Sequence, residues 1–282
     1  MPDSTLILSA PTGTLTAGAL KALDLPGEPA QWLSHESAAL FQLPDARIKP
    51  ALALLDNAPV DWLVTPEPPK QKALFLADMD STMIEIECID ELADYAGVKD
   101  QVAAVTEQAM RGELDFREAL AARVQLLEGL PVSVLQDCFN ERVRISSGAE
   151  QAVKTMASNG CHCMLVSGGF TFFTQRIADA LGFHGNRANQ LEERGGHLTG
   201  KVLPPISDAS TKLSVLQQEK ERLSLDTADI MAVGDGANDI PMIEAAGLGI
   251  AYRAKPKTRN AAAAAIDHSD LTALLHFQGI ST

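Results

Sequence analysis

Three short segments of this 282-residue chain hold side chains that could do chemistry together, and each directly follows an apolar, strand-like run. The first is Asp78-Met79-Asp80-Ser81-Thr82, the second Ser167-Gly168-Gly169, and the third Gly234-Asp235-Gly236-Ala237-Asn238-Asp239. Carboxylates crowded at the mouth of a sheet repel one another and lose hydration, so they persist cheaply only beside a cation. Oxygen-only donors favour Mg²⁺, which takes one or two carboxylates, waters and a substrate phosphate. Asp78 and Asp235 are the natural side-chain ligands of such an ion. Ser167 and the amides after it, placed ahead of a helical stretch, form a phosphate-binding arrangement. Lys212 adds the mobile positive charge that phosphoryl transfer needs near the metal.

Each motif alone has a plainer reading. The aspartate pair could be an exposed acidic turn, Ser167-Gly168-Gly169 an ordinary strand-to-helix turn, and Lys212 a solvated helix lysine. Their joint occurrence after successive strands favours a site. Gly234-x-Gly236 does not make a dinucleotide loop, because it lacks the third glycine and its aspartates would repel pyrophosphate unless a metal intervened.

The elements that must position these residues are legible in outline. Ala73–Ala77 is continuously apolar, as in a strand covered on both faces. From 83 to 145 apolar positions recur at helical spacing, in Ile89, Leu92, Ala93 and Ala96, in Phe116, Leu120, Val124 and Leu127, and in Val134, Leu135 and Cys138. Helices and strands then alternate. Helices are predicted at 149–158, 172–181, 212–223 and 241–246, strands at 162–166, 230–233 and 249–251, and a hairpin between 186 and 202 with its turn at Arg194-Gly195-Gly196. The alanine run Ala261–Ala265 predicts a helix. The pattern specifies an α/β protein with a Rossmann-like parallel sheet core and a helical cap, at about 83–145, inserted after the first core strand. Three prolines in four positions at 66–69 suit an extended linker, which divides the chain into a small α+β N-terminal domain at 1–70 and a second domain at 71–282. The smaller domain is expected to hold strands near Leu6–Leu8 and Asp61–Val64 and helices near Ala19–Leu23 and Ile48–Leu55.

Charge narrows the partners. With 23 basic and 37 acidic residues the net charge is −14, which argues against nucleic acid and against an anionic membrane surface. No run approaches the roughly 18 apolar residues of a membrane span, and the start lacks a basic signal region, so a cytoplasmic protein is expected. Cys161-His162-Cys163 invites a metal reading, but no second ligand pair sits at zinc-finger spacing. Alternation of Cys161, Cys163 and Leu165 along a strand is the better account. The basic stretch Arg253, Lys255, Lys257 and Arg259 reads as a surface loop.

From about Ala73 onward the chain resembles the haloacid dehalogenase-like phosphatases. Asp78, Asp80 and Thr82 match the first family motif, Ser167 the second, Lys212 the third, and Gly234 to Asp239 the fourth, all in order. The resemblance implies that Asp78 is the nucleophile and a Mg²⁺ ligand, and that Asp80 is the general acid and base whose backbone carbonyl reaches the metal. It implies that Thr82, Ser167, Gly168 and Lys212 hold the phosphoryl oxygens, that Asp235 completes the metal site, and that Asn238 approaches the substrate. Asp239 would be a supporting carboxylate that orients metal waters or Lys212. The phrase Glu87-Cys88-Ile89-Asp90-Glu91-Leu92-Ala93 resembles the subgroup acting on O-phospho-L-serine. Glu87 would then read the substrate amine and Arg123 its carboxylate, with Glu85 a competitor for the amine. Extra N-terminal domains in the family imply a regulatory or homodimer-forming role for residues 1–70.

Overall fold

The computed structural model describes residues 3–25, 27–55 and 57–282; Met1 and Pro2, part of the start considered above, lie outside them. It contains two sheets. Strands β1 (Asp3–Ser9), β2 (Gln31–Ser34), β3 (Ala38–Pro44) and β4 (Asp61–Thr65) form an antiparallel sheet in the order β2-β3-β1-β4. Leu6 and Leu8 of β1 pack under the helices Ala17–Ala22 and Asp45–Leu55, while Ile7, Leu33 and Leu63 join the core of the rest of the chain. Polar ties reinforce that contact. Asp61 accepts hydrogen bonds from the backbone amides of Asp267, His268 and Ser269, and Ser9 Oγ lies 2.9 Å from His276 Nδ1. β2 and β3 were not foreseen, because β2 is short and mostly exposed and β3 opens on two alanines, which carry little strand propensity.

The second sheet carries the candidate site. Its strands are β5 (Leu74–Ala77), β6 (His162–Phe170), β7 (Gly185–Arg194), β8 (His197–Leu203), β9 (Ile230–Gly234), β10 (Leu248–Tyr252) and β11 (Ala264–Ile266). They run in the order β11-β10-β9-β5-β6-β7-β8, parallel except for the β7–β8 hairpin. Every residue of β5 is fully buried. Leu74 and Leu76 pack toward Val215 and Leu216 of the helix Ala209–Arg222, and Phe75 and Ala77 toward the helices Ala149–Ser158 and Thr171–Leu181 on the other face. This is the α/β, Rossmann-like architecture. The alanine run is a correction: the helix Pro256–Ala261 ends within it, and Ala264–Ile266 pairs with β10 as an edge strand. Strand pairing there overrides alanine's helix propensity.

Between β5 and the helix Ala149–Ser158 the chain leaves the sheet as four helices, Cys88–Tyr95, Lys99–Met110, Phe116–Gln125 and Ser133–Arg142. The two crossings are paired at their base: Ile84 bridges Ile145, Glu85 N donates to Arg144 O, and Ser146 N to Met83 O. The helix Lys99–Met110 was not singled out in the sequence, and Val102 is the one buried residue among its described side chains. At the far end the cap is tied to the β7–β8 hairpin through Gly129 N to Leu198 O and Val132 N to Gly196 O. Among the described residues no helix is long and apolar enough to cross a membrane.

Candidate active site

Strand register brings the three motifs together. Ala77 of β5 is level with Val233 of β9 on one side and Leu165 of β6 on the other, so Asp78, Gly234-Asp235 and Val166-Ser167 come side by side where the pairing along β5 ends. Carboxyl ends of adjacent parallel strands are where α/β folds gather ligands. After β5 the backbone enters an irregular turn, Met79–Met83, in which Ser81 takes a left-handed φ of 55°. That conformation is strained for a non-glycine residue. It lets the Ser81 hydroxyl donate to Glu87 Oε1 at 2.6 Å.

Lys212 is the hub. Its helix is capped by Asp208, which accepts from Thr211 N, and Lys212 sits one turn inside, with 1% of its side chain exposed. Its Nζ lies 2.7 Å from Asp78 Oδ1 and 2.5 Å from Asp239 Oδ1. Burial alone would lower the lysine pKa, but the two carboxylates overcome it and push it up. Asp239 is held in turn by Gly236 N, and at Gly234 a Cβ would overlap its carboxyl.

Asp78, Asp235 and Asp239 bring one carboxylate oxygen each within 4.8 Å of one another. Three acids facing the single cation Lys212 leave surplus negative charge, and an all-oxygen donor set suits Mg²⁺. The strain is visible in the acids. Burial and the neighbouring Asp239 raise Asp78 well above the usual carboxylate range, and burial with Asp239 takes Asp235 to about 6. Of the expected metal residues Asp78, Asp80 and Asp235, the side chains of Asp78 and Asp235 lie together, and Asp239 is a third acid beside them that could hold an ion.

The side chain of Asp80 is directed elsewhere. Oδ1 accepts from Cys88 N at 3.0 Å and Oδ2 from Ser167 Oγ at 3.3 Å. Burial raises its pKa, which the bonds from Cys88 only partly offset. Thr82, expected at the phosphoryl oxygens, donates its hydroxyl to Asp235 Oδ1 at 2.9 Å and so orients that acid. Ser167 Oγ also accepts from Gly169 N. Asn238 lies half-buried on the turn Ala237–Asp239.

Above this floor stand Glu87 and Arg123. Glu87 keeps surface open to solvent, yet the protein crowding its carboxyl and the nearby Asp80 raise it to about 7. Arg123 is anchored by Nε to Ala119 O at 3.2 Å, within electrostatic reach of Asp90, Glu87 and Asp80. Glu85 is exposed on the cap hinge, where its amide bonds Arg144 O. Several residues here were not singled out from the sequence. Buried Asn189, on β7, donates to Gly168 O and Ser207 O, and Ser207 Oγ donates to Ser167 O. The Phe116 ring of the cap lies against Gly168. Hairpin residues without a motif offered no signal for these bonds.

The comparisons with known proteins agree with this layout. A family model described as haloacid dehalogenase-like hydrolase matches residues 75–244. A curated phosphoserine phosphatase from Polaromonas sp. is 45% identical over 207 residues, which cover 72% of this chain and 88% of that protein. The crystal structure of a probable phosphoserine phosphatase from Vibrio cholerae, in unliganded form, matches at a TM-score of 0.84 and 32% identity, covering 98% of this chain and 86% of that one. A phospho-aspartyl intermediate analogue of phosphoserine phosphatase matches at a TM-score of 0.68 and 38% identity, covering 74% of this chain and 99% of that one. With its sheet order, inserted cap and acidic cluster, the chain belongs to the haloacid dehalogenase-like hydrolase family, in the branch that contains the phosphoserine phosphatases.

Proposed function

We propose that this protein is a Mg²⁺-dependent phosphatase that hydrolyses O-phospho-L-serine to L-serine and phosphate, the last step of serine biosynthesis. The observation that carries the reading is the buried Asp78–Lys212–Asp239 array beneath Glu87 and Arg123, an acid and a base suited to the ammonium and carboxylate of phosphoserine. Relatives named phosphoserine phosphatase support the substrate.

In this reading Asp78 attacks phosphorus. A bond forms from its carboxylate oxygen to phosphorus, and the bond from phosphorus to the serine oxygen breaks. Asp80, whose pKa burial raises, acts as the general acid and gives its proton to that leaving oxygen. The resulting Asp80 carboxylate then takes a proton from water as the water attacks the aspartyl-phosphate, and Asp78 leaves. Lys212, Ser167 and the amides beyond it hold the phosphoryl oxygens throughout. A Mg²⁺ held by Asp78, Asp235, Asp239 and the Asp80 carbonyl would supply compensation for the phosphoryl charge. Glu87, placed beside Ser81, reads the amine more readily than Glu85 on the hinge. Residues 1–70 form a separate small domain in this reading, regulatory or homodimer-forming.

The test is phosphate release by the purified full chain with Mg²⁺ on a panel of small phosphomonoesters. L-phosphoserine is expected to give the highest kcat/KM. A clear preference for another phosphomonoester, or transfer to an alcohol acceptor in place of water, would replace this reading.

A further inference from the structure

The cap and the sheet domain each contribute one cation to the proposed phosphoserine site, Arg123 and Lys212, and the two helices that carry them meet at their first turns. Arg117, in the first turn of the helix Phe116–Gln125, directs Nε and one terminal nitrogen to Asp208 Oδ2 at 3.1 and 2.9 Å. Asp208 is the N-cap of the helix Ala209–Arg222, and its Oδ1 accepts from Ser210 Oγ and Thr211 N. Its two oxygens therefore have separate tasks: one caps its own helix and the other holds the cap domain. The remaining ion pairs made by cap arginines, Arg111 with Glu107 and Glu113 and Arg142 with Glu91 and Asp94, stay within the cap. Among the described residues, Arg117–Asp208 is the ion pair that joins the cap to the rest of the chain.

What it joins is close to the chemistry. Ser207, the neighbour of Asp208, donates its amide to Asn189 Oδ1 at 2.7 Å and its hydroxyl to Ser167 O at 3.0 Å. Phe116, the neighbour of Arg117, rests on Gly168. The first turn of the cap helix is thus seated on the Ser167–Gly168 loop and on the start of the Lys212 helix together. Arg123 lies six residues beyond Arg117, and Lys212 four beyond Asp208, or roughly 9 and 6 Å along their helices. Hydrogen bonding from Ser210, with Arg117 adding to it, keeps Asp208 at about 2, so the pair stays ionised through the working pH range.

We infer that Arg117 and Asp208 are positioning residues that fix the separation of Arg123 from Lys212, so that selectivity for phosphoserine depends on a contact touching neither substrate nor metal. The inference rests on the substrate reading above. With the pair broken, the phosphate grip on the core persists while the carboxylate reader on the cap loses its fixed place. Binding of a substrate that carries both groups weakens, and a substrate with only the phosphate is indifferent.

Steady-state kinetics of the full chain on L-phosphoserine and para-nitrophenyl phosphate test this. The variants are Arg117→Ala, Arg117→Lys, Asp208→Asn and the double change Arg117→Ala with Asp208→Asn, with Arg123→Ala as reference for loss of the reader itself. Asn is as good an N-cap as Asp, so Asp208→Asn removes the charge and keeps the cap. Each single change is expected to raise KM for phosphoserine about three- to fivefold, the range a partly exposed ion pair supports, with kcat within about twofold. The double variant should be no worse than either single one, since both remove the same interaction. Arg117→Lys should recover part of the loss, and para-nitrophenyl phosphate kinetics and melting temperature should stay at wild-type values. Equal losses on both substrates, additive losses, or variants identical to wild type would overturn the inference alone. Wild-type protein that releases no phosphate from phosphoserine would overturn the substrate reading and this inference with it.

Discussion

At Gly169 a hydrogen in place of a side chain decides where the Asp80 carboxyl can sit. A Cβ there would lie 2.5 Å from Asp80 Oδ2 and 3.1 Å from Ser167 Oγ, so any side chain displaces the acid from the position the proposed proton transfer uses. Gly169→Ala is expected to lower kcat by roughly 100-fold, the scale of a 1 Å misplacement, with little change in melting temperature. A variant with kcat within twofold of wild type would show that Asp80 is not so narrowly set. Single residues also show what the sequence could and could not disclose. Asp78, Lys212 and Asp235 were legible because their chemistry demands those residue types directly after strands or at a helix start. The Thr82 bond to Asp235 was not, because a hydroxyl at that spacing can face a phosphate or an acid equally well. Asn189 and Ser207 were silent for a different reason: they are ordinary polar residues until the fold brings them together beside the Ser167 loop.

Among the elements, β5 bears the most weight, since it is central in its sheet and delivers Asp78. Its apolar run announced it, and both of its faces are closed by helices. Phe75 has no exposed surface and stacks on Phe183 with ring centroids 6.2 Å apart. Phe75→Ala should cost about 3–5 kcal/mol by denaturant unfolding, because the helices on that face cannot collapse into the space. A loss below about 1 kcal/mol would mean that the core there is not close-packed. Elements were legible where one face is wet or a turn residue marks an end, as in the other three cap helices, Lys99–Met110 excepted, and the hairpin at Arg194-Gly195-Gly196. They were illegible where tertiary pairing outranks local preference. The edge strand Ala264–Ile266 forms in an alanine run because β10 offers it a partner, and β3 hides because its opening alanines carry little strand propensity.

The whole molecule is acidic, and the acidity reaches the site, where Asp78, Asp235 and Asp239 crowd around buried Lys212. Without a cation such a site should repel a phosphate dianion, so phosphoserine binding is expected to fall steeply when Mg²⁺ is stripped. The same charges should destabilise the metal-free fold in a pH-dependent way. Asp235 and Glu87 rise to about 6 and 7 from 3.8 and 4.5. The folded state therefore holds protons that the unfolded state releases, and the stability they contribute, full below those lower values, is lost as pH climbs through 6 to 7. His276, buried beside Ser9 and lowered to about 4, works in the opposite sense between 4 and 6.5. It lies at the N-terminal sheet and affects metal-free and metal-bound protein alike. The rise in melting temperature on adding Mg²⁺ should therefore be larger near about pH 7.5 than near about pH 5, and an increment independent of pH would contradict this. The central claim is that Asp78 takes the phosphoryl group from phosphoserine. Rapid acid quench of the full chain turning over ³²P-labelled L-phosphoserine with Mg²⁺, followed by peptide mapping, tests it most directly. Label confined to Asp78, appearing before free phosphate and absent in Asp78→Asn, is the predicted result; phosphate release with no label on Asp78 would contradict the account.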